Sequence, residues 1–124
     1  MTTIYFLLAS GQQSRWHRVR SDEAWHFYEG DPLELWTLDP SLERLERTLL
    51  GPYSPDPTHI DPTTRPVHVV PAGYWQAARP TGSYALAGCS VGPGFDFADF
   101  SMMGDDPAAV AKLTTRFPEM APLA

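Results

Sequence analysis

Thirteen prolines and nine glycines are spread through 124 residues. Chain breakers at that density impose many turns and leave little room for long helices, which favours an all-β architecture. Between the breakers, short apolar or alternating runs recur, as expected for a sandwich or barrel. Residues 4–9 form a near-continuous apolar run, suited to a strand buried on both faces, and Ser10-Gly11 ends it. Strands are expected at 15–19 and 23–28, the second closed by the turn Glu29-Gly30-Asp31-Pro32, and another follows through Leu33, Leu35 and Thr37. Further strands are expected at 67–70, 75–78 and 84–91.

Two segments need more argument. LERLERTLL at 42–50 has leucines at helical spacing, but turn signals bound it tightly at Asp39-Pro40 and Gly51-Pro52. Tertiary context commonly overrides local propensity, so a strand is expected there. The stretch from Pro52 to Pro66 carries five prolines and cannot continue a ladder, so 53–66 reads as a loop, with the length of a lid or insertion. Residues 106–116 form the one good helix candidate, with Asp105 or Asp106 as N-cap and Pro107 in the first turn.

A chain of this length fits one domain, 1–124. The formal net charge of -6 and the lack of any basic cluster beyond Arg15, Arg18 and Arg20 argue against a nucleic-acid partner. Those three arginines alternate with Trp16, His17 and Val19; they read as a strand edge or solvated face, or as one cation meeting an anionic ligand or a subunit partner. Cys89, the single cysteine, sits in an apolar stretch and reads as a buried structural thiol. The apolar run near the N-terminus lacks the basic flank and cleavage site of a leader, and no stretch approaches the length of a membrane span. No membrane partner is expected, and a cytoplasmic location is.

The informative stretch runs from Gly11 to Gly30. Five residues separate Gly11 from His17, Val19 lies two beyond, three residues separate Val19 from Glu23, and six separate Glu23 from Gly30. Residues two apart on a strand face one side, so positions 17 and 19 point together, and Glu23 reaches the same space from the neighbouring strand. A second stretch, Pro71-Ala72-Gly73-Tyr74-Trp75-Gln76, follows about forty residues on. In order, the two resemble the paired motifs of the cupin superfamily. The segments IYFLL at 4–8, WHRVRSDEAWHFYEGDPLEL at 16–35, VVPAGYWQAA at 69–78 and YALAGCSVGPGFDFADF at 84–100 narrow the resemblance to a subgroup of small cupins often described as similar to sugar-nucleotide epimerases. Members usually carry an additional N-terminal segment with a His-Pro-Glu-Gly-Gly-type stretch, which this chain starts without. The resemblance implies a double-stranded β-helix, or jelly-roll, cupin barrel with one short C-terminal helix, a polar pocket for a small organic molecule, and a homodimer paired through its sheets.

The resemblance also implies that metal-dependent relatives hold their ion through histidines at the positions of His17, Val19 and Gln76 together with Glu23. Valine ligates nothing, and a carboxamide is a poor substitute for imidazole with transition metals. No cofactor is therefore expected; the alternative is a divalent metal on His17, Glu23 and Gln76. Without metal, His17 and Glu23 make an acid/base pair, with His17 as base, Glu23 as its orienting carboxylate and Gln76 as a hydrogen-bond donor to the ligand. The epimerases commonly add a tyrosine acid, for which Tyr28, Tyr74 and Tyr84 are candidates. Trp25 and Phe27 share the parity of Glu23 and are expected as pocket walls beside Val19, while Trp16, Trp36 and Trp75 read as core. His26 is out of phase and should face the other side of its strand; His59 belongs to the proline-rich loop, where solvent exposure is expected. The chemistry implied is that of an isomerase, epimerase or lyase on a small carbonyl compound, a sugar nucleotide or a specialised metabolite. The alternatives are a non-catalytic binding or storage protein, a metalloenzyme with a reduced ligand set, or a His17/Glu23 pair kept only for packing.

Overall fold

The structure is a computed structural model that describes residues 1–53, 56, 58 and 63–124. Ten strands follow in chain order: β1 Thr2–Ala9, β2 Ser14–Arg18, β3 Asp22–Gly30, β4 Leu33–Leu38, β5 Leu45–Leu50, β6 Thr64–Arg65, β7 Val67–Val70, β8 Trp75–Pro80, β9 Tyr84–Gly92 and β10 Ser101–Met102. They form one four-stranded sheet in the order β1-β9-β3-β7 and one six-stranded sheet in the order β10-β2-β8-β4-β5-β6. All pairings are antiparallel except β5 with β6. This is the expected jelly-roll barrel. The helix α1, Pro107–Arg116, completes it, with the Asp106 carboxylate accepting the Ala109 N–H and Pro107 in the first turn.

The inner faces of the two sheets meet in a core of Leu8, Trp25, Leu33, Leu35, Leu50, Val70 and Ala78, with Phe27 packed against it. The six-stranded sheet is covered on its outer face too. There Trp16, Leu38 and Trp75 lie under Leu113 of α1 and under Met120 and Leu123 of the closing turn. The Trp16 indole N–H reaches the Met120 carbonyl at 3.2 Å, which satisfies a buried donor. Each aliphatic side chain so buried contributes about 1.5–3 kcal/mol, so this short C-terminal segment has enough apolar contact to stay docked.

The glycines of the two sequence motifs, Gly11, Gly30 and Gly73, are the positive-φ glycines among the described residues, at 84°, 97° and 80°. At Gly30 a Cβ would also run into the Tyr84 carbonyl oxygen, so the turn out of β3 requires glycine for two separate reasons.

Three expectations are corrected. Strand β1 is not buried on both faces: it is the edge of its sheet, and Tyr5 and Leu7 stand 81% and 60% exposed while Phe6 and Leu8 turn inward. The strand expected over 42–50 begins at Leu45, because Leu42 takes φ 60° in a turn whose Glu43 and Arg44 N–H groups donate to Asp39. The segment expected as loop contains β6, whose two residues pair in parallel with the end of β5. His59 and half of that segment lie outside the described residues. No helix among the described residues is long and apolar enough to cross a membrane.

Candidate functional site

One end of the barrel opens into a cavity of about 500 Å³. Its walls follow from strand parity. On β3, Glu23 and Trp25 point inward; across the sheet they lie opposite Val91 and Cys89 of β9, and all four line the cavity. From the other sheet β2 contributes His17, with Val19 just beyond it, and β1 adds Ile4 and Phe6. The segment between β9 and β10 closes the rim with Phe95, Phe97 and Phe100.

His17 is half-buried, its ring stacked on Phe100 with centroids 5.5 Å apart. Its Nδ1 lies 2.7 Å from the Arg15 carbonyl oxygen. A carbonyl only accepts, so Nδ1 carries the proton and a neutral ring keeps its lone pair on Nε2. Burial holds the imidazole pKa below its ordinary value, and the bond to Arg15 opposes this only in part. The ring is therefore a neutral base near pH 7.

Glu23 is buried. Its Oε1 accepts from Gln76 Nε2 at 2.6 Å, and Gln76 Oε1 in turn accepts the Trp25 indole N–H at 2.7 Å. An indole N–H can only donate, which fixes the orientation of the amide and obliges Glu23 Oε1 to act as acceptor. A protonated Glu23 must then carry its proton on Oε2, the oxygen left for the cavity. Burial raises the Glu23 pKa, and the Gln76 bond only partly opposes it. The site thus presents a neutral base and a carboxyl biased toward its acid form.

The structure brings His17, Val19, Glu23 and Trp25 to one cavity, but β2 and β3 are not neighbouring strands as expected: His17 comes from the six-stranded sheet, and Glu23 and Trp25 face it from the four-stranded one. It separates other candidates. His17 and Glu23 share neither a hydrogen bond nor an ion pair among the described residues, since their partners are the Arg15 carbonyl and Gln76. Gln76 is fully buried behind Glu23 and does not line the cavity, because both ends of its amide are spent on Glu23 and Trp25. Phe27 continues the inward face of β3 but packs into the core. None of the three candidate tyrosines reaches the cavity: Tyr28 and Tyr84 are exposed on the outer face of their sheet, and Tyr74 lines a smaller cleft with His68. His26 is half-buried and out of phase with the inward Glu23 and Trp25. Cys89 is buried in the cavity wall with its pKa pushed up by burial, which keeps it a thiol. Arg18 lays its guanidinium 4.4 Å from the Trp75 ring centroid, Arg20 is exposed, and Arg15 stands exposed at the cavity mouth.

Sequence reasoning missed the rim. The alternation of Phe95 and Phe97 in GFDFADF was its only signal.

The donor set does not fit a divalent transition metal. Gln76 Oε1, its one ligating atom, is engaged by Trp25, His17 Nδ1 is engaged by a carbonyl, and Val19 offers nothing. Two donor atoms remain, fewer than such a site needs, and no group of three or more His, Cys, Asp or Glu among the described residues is placed to hold an ion.

Residues 1–103 match the family described as Cupin superfamily (DUF985). Among solved structures, a Shewanella oneidensis protein is 30% identical, with a TM-score of 0.77 over 98% of this chain and 70% of that one. A hypothetical protein from Leishmania major is 26% identical, with a TM-score of 0.75 over 98% and 72%. A sugar 3,4-ketoisomerase from Thermoanaerobacterium thermosaccharolyticum, solved in complex with TDP, shares the fold with a TM-score of 0.60 at 10% identity, over 94% and 74%. Comparison with curated proteins finds no match.

Proposed function

This chain belongs to the Cupin superfamily (DUF985), and from that premise we propose that it is a metal-independent isomerase, epimerase or lyase acting on a small carbonyl compound. His17 Nε2 removes a proton from the carbon beside the carbonyl, and the electrons of that C–H bond form the enol double bond. The carbonyl π pair moves onto oxygen, which takes the proton of Glu23 Oε2. Return of a proton to the same or the neighbouring carbon completes isomerisation; loss of a β-substituent instead makes a lyase. Gln76 and Trp25 are positioning residues that keep the Glu23 proton on the cavity side.

The observation that carries this reading is the pair of hydrogen bonds that leave His17 with a free lone pair and Glu23 with a free oxygen in one cavity. Glu23 is accordingly the acid, and takes the role sought for a tyrosine, instead of orienting His17. We also read the protein as a cytoplasmic homodimer. Support for the dimer is the outer face of the four-stranded sheet, where Tyr5, Leu7, Tyr28, Val67, Val69 and Tyr84 are all exposed.

The test is exchange of substrate α-protons with D2O, followed by NMR over a panel of carbonyl compounds. A binding or storage protein has no reason to catalyse it. The rate requires neutral His17 and protonated Glu23. Its acidic limb is expected below the ordinary imidazole value of 6.5, since the His17 pKa is lowered. Its alkaline limb is expected above the ordinary carboxylate value of 4.5, since that of Glu23 is raised. Full exchange rates in both His17→Gln and Glu23→Gln would overturn the assignment.

A further inference from the structure

We propose that the cavity takes a planar, ring-bearing carbonyl compound with one anionic group, of the kind represented by an aryl-substituted 2-oxo acid, and not a sugar nucleotide. The inference rests on the acid/base reading above and adds the substrate class.

Its first ground is how few free polar groups the wall offers. A hexose brings several hydroxyls, each of which needs a partner once out of water, and a nucleoside diphosphate brings two phosphates as well. Against that demand stand His17 Nε2, Glu23 Oε2, the Ser14 hydroxyl, Arg15 and what remains of the Thr2 hydroxyl, whose Oγ1 accepts the Phe95 N–H at 2.9 Å. The first two are accounted for by one carbonyl and the carbon beside it. That leaves little for a sugar.

The second ground is the arrangement of rings. Deep in the cavity Phe6 and Trp25 meet edge to face, with centroids 5.6 Å apart. At the rim Phe95 stands edge to face with Phe97 at 4.9 Å and with Phe100 at 6.0 Å, and Phe100 lies under the His17 ring. The rim is anchored, through the Thr2 hydroxyl at Phe95 and through the Asp96 carboxylate, which accepts the Ala98 N–H. Phe97 lines the mouth and is 82% exposed, so its ring has apolar surface to offer an occupant there. Aromatic walls at both depths suit a flat ring. The third ground is charge. Arg15 is exposed at the mouth and pairs with no carboxylate among the described residues, so one anionic group there meets an available cation.

Phenylpyruvate has all three parts, and its binding can be compared with that of TDP-glucose by isothermal titration of the full chain. Phenylpyruvate is expected to bind, one per chain, more tightly than TDP-glucose. Phe97→Ser should weaken it about tenfold if the ligand covers roughly half of that ring, and Arg15→Gln about threefold, as befits an exposed ion pair. Both side chains are exposed, so both variants should keep the wild-type melting temperature. Tighter binding of TDP-glucose, no binding of phenylpyruvate, or an affinity for it unchanged in both variants would each overturn the proposal. Exchange of its C3 protons separates the two readings. Binding as expected without His17-dependent exchange upholds the ligand class and sinks the acid/base chemistry. His17-dependent exchange on a sugar nucleotide, with no affinity for phenylpyruvate, does the reverse.

Discussion

Gln76→Leu removes the centre of the hydrogen-bonded relay that runs from Trp25 through Gln76 to Glu23. Leucine nearly matches glutamine in volume, so little is lost in packing, and the cost is polar. The Trp25 indole N–H, buried and bonded at 2.7 Å to Gln76 Oε1, loses that partner, which costs about 1–3 kcal/mol. Glu23 loses its 2.6 Å bond from Gln76 Nε2, worth about 1 kcal/mol. The sum, about 2–4 kcal/mol, corresponds to a fall in melting temperature of about 8–16 °C for a domain of this size. Urea denaturation and a thermal melt read it directly. A double-mutant cycle sharpens the test. In a Trp25→Phe background the orphaned N–H no longer exists, so Gln76→Leu should cost at least about 1 kcal/mol less than in wild type. A Gln76→Leu protein that melts within about 2 °C of wild type, or a cycle with no coupling, would refute the relay and with it the fixed position of the Glu23 proton.

Protein purified without added metal should hold far less than one transition-metal ion per chain by elemental analysis, because two free donors cannot retain one. Stability should respond to the two shifted groups in opposite senses. The lowered His17 pKa makes the folded state lose stability as pH falls through the region below 6.5, whereas the contribution from the raised Glu23 pKa is full below 4.5 and lost as pH rises through its folded value. Urea midpoints for wild type and Glu23→Gln across that range check both signs. On the proposed dimer, wild type should elute as a dimer in size-exclusion chromatography with light scattering, and Leu7→Glu, which places a charge on the exposed outer sheet face, should yield a folded monomer. Cys89 should resist a thiol reagent in the native protein and react on unfolding, since it is buried and its thiolate disfavoured.

Much of this fold is written in local pattern. The motif glycines fall at the positive-φ turns, and strand parity points His17, Glu23 and Trp25 into one cavity, although only pairing shows that His17 arrives from the other sheet. What was not legible depends on pairing. An apolar run such as 4–9 reads the same whether a strand is buried on both faces or lies at a sheet edge with Tyr5 and Leu7 outside; only the neighbour list decides. Counting parity beyond Phe27 fails for a definite reason: a register shift between Phe27 and Glu29 breaks the period of two just where Tyr28 had to be assigned. The role of Gln76 was hidden similarly. Its inward direction follows from its strand, but its commitment to Glu23 and Trp25 depends on two residues more than fifty positions away in the sequence.

Val19 and Gln76 have an electrostatic consequence for Glu23. The resemblance implies histidines at these two positions in metal-dependent relatives, where a bound cation would hold the glutamate ionised. Here the groups nearest Glu23 are neutral: a carboxamide, an indole and apolar walls. Desolvation is the largest influence on both titrating groups, and it acts on them in opposite directions, lowering His17 and raising Glu23. A charged imidazolium and carboxylate in contact would have stabilised each other and moved both pKa values the other way. Because no bond joins them, each group settles toward its neutral form instead. On the proposed reading, a base and an acid that each act in the neutral form in one cavity can shift a proton between carbon and oxygen without first separating charge, which an ion pair at the same positions would have to do.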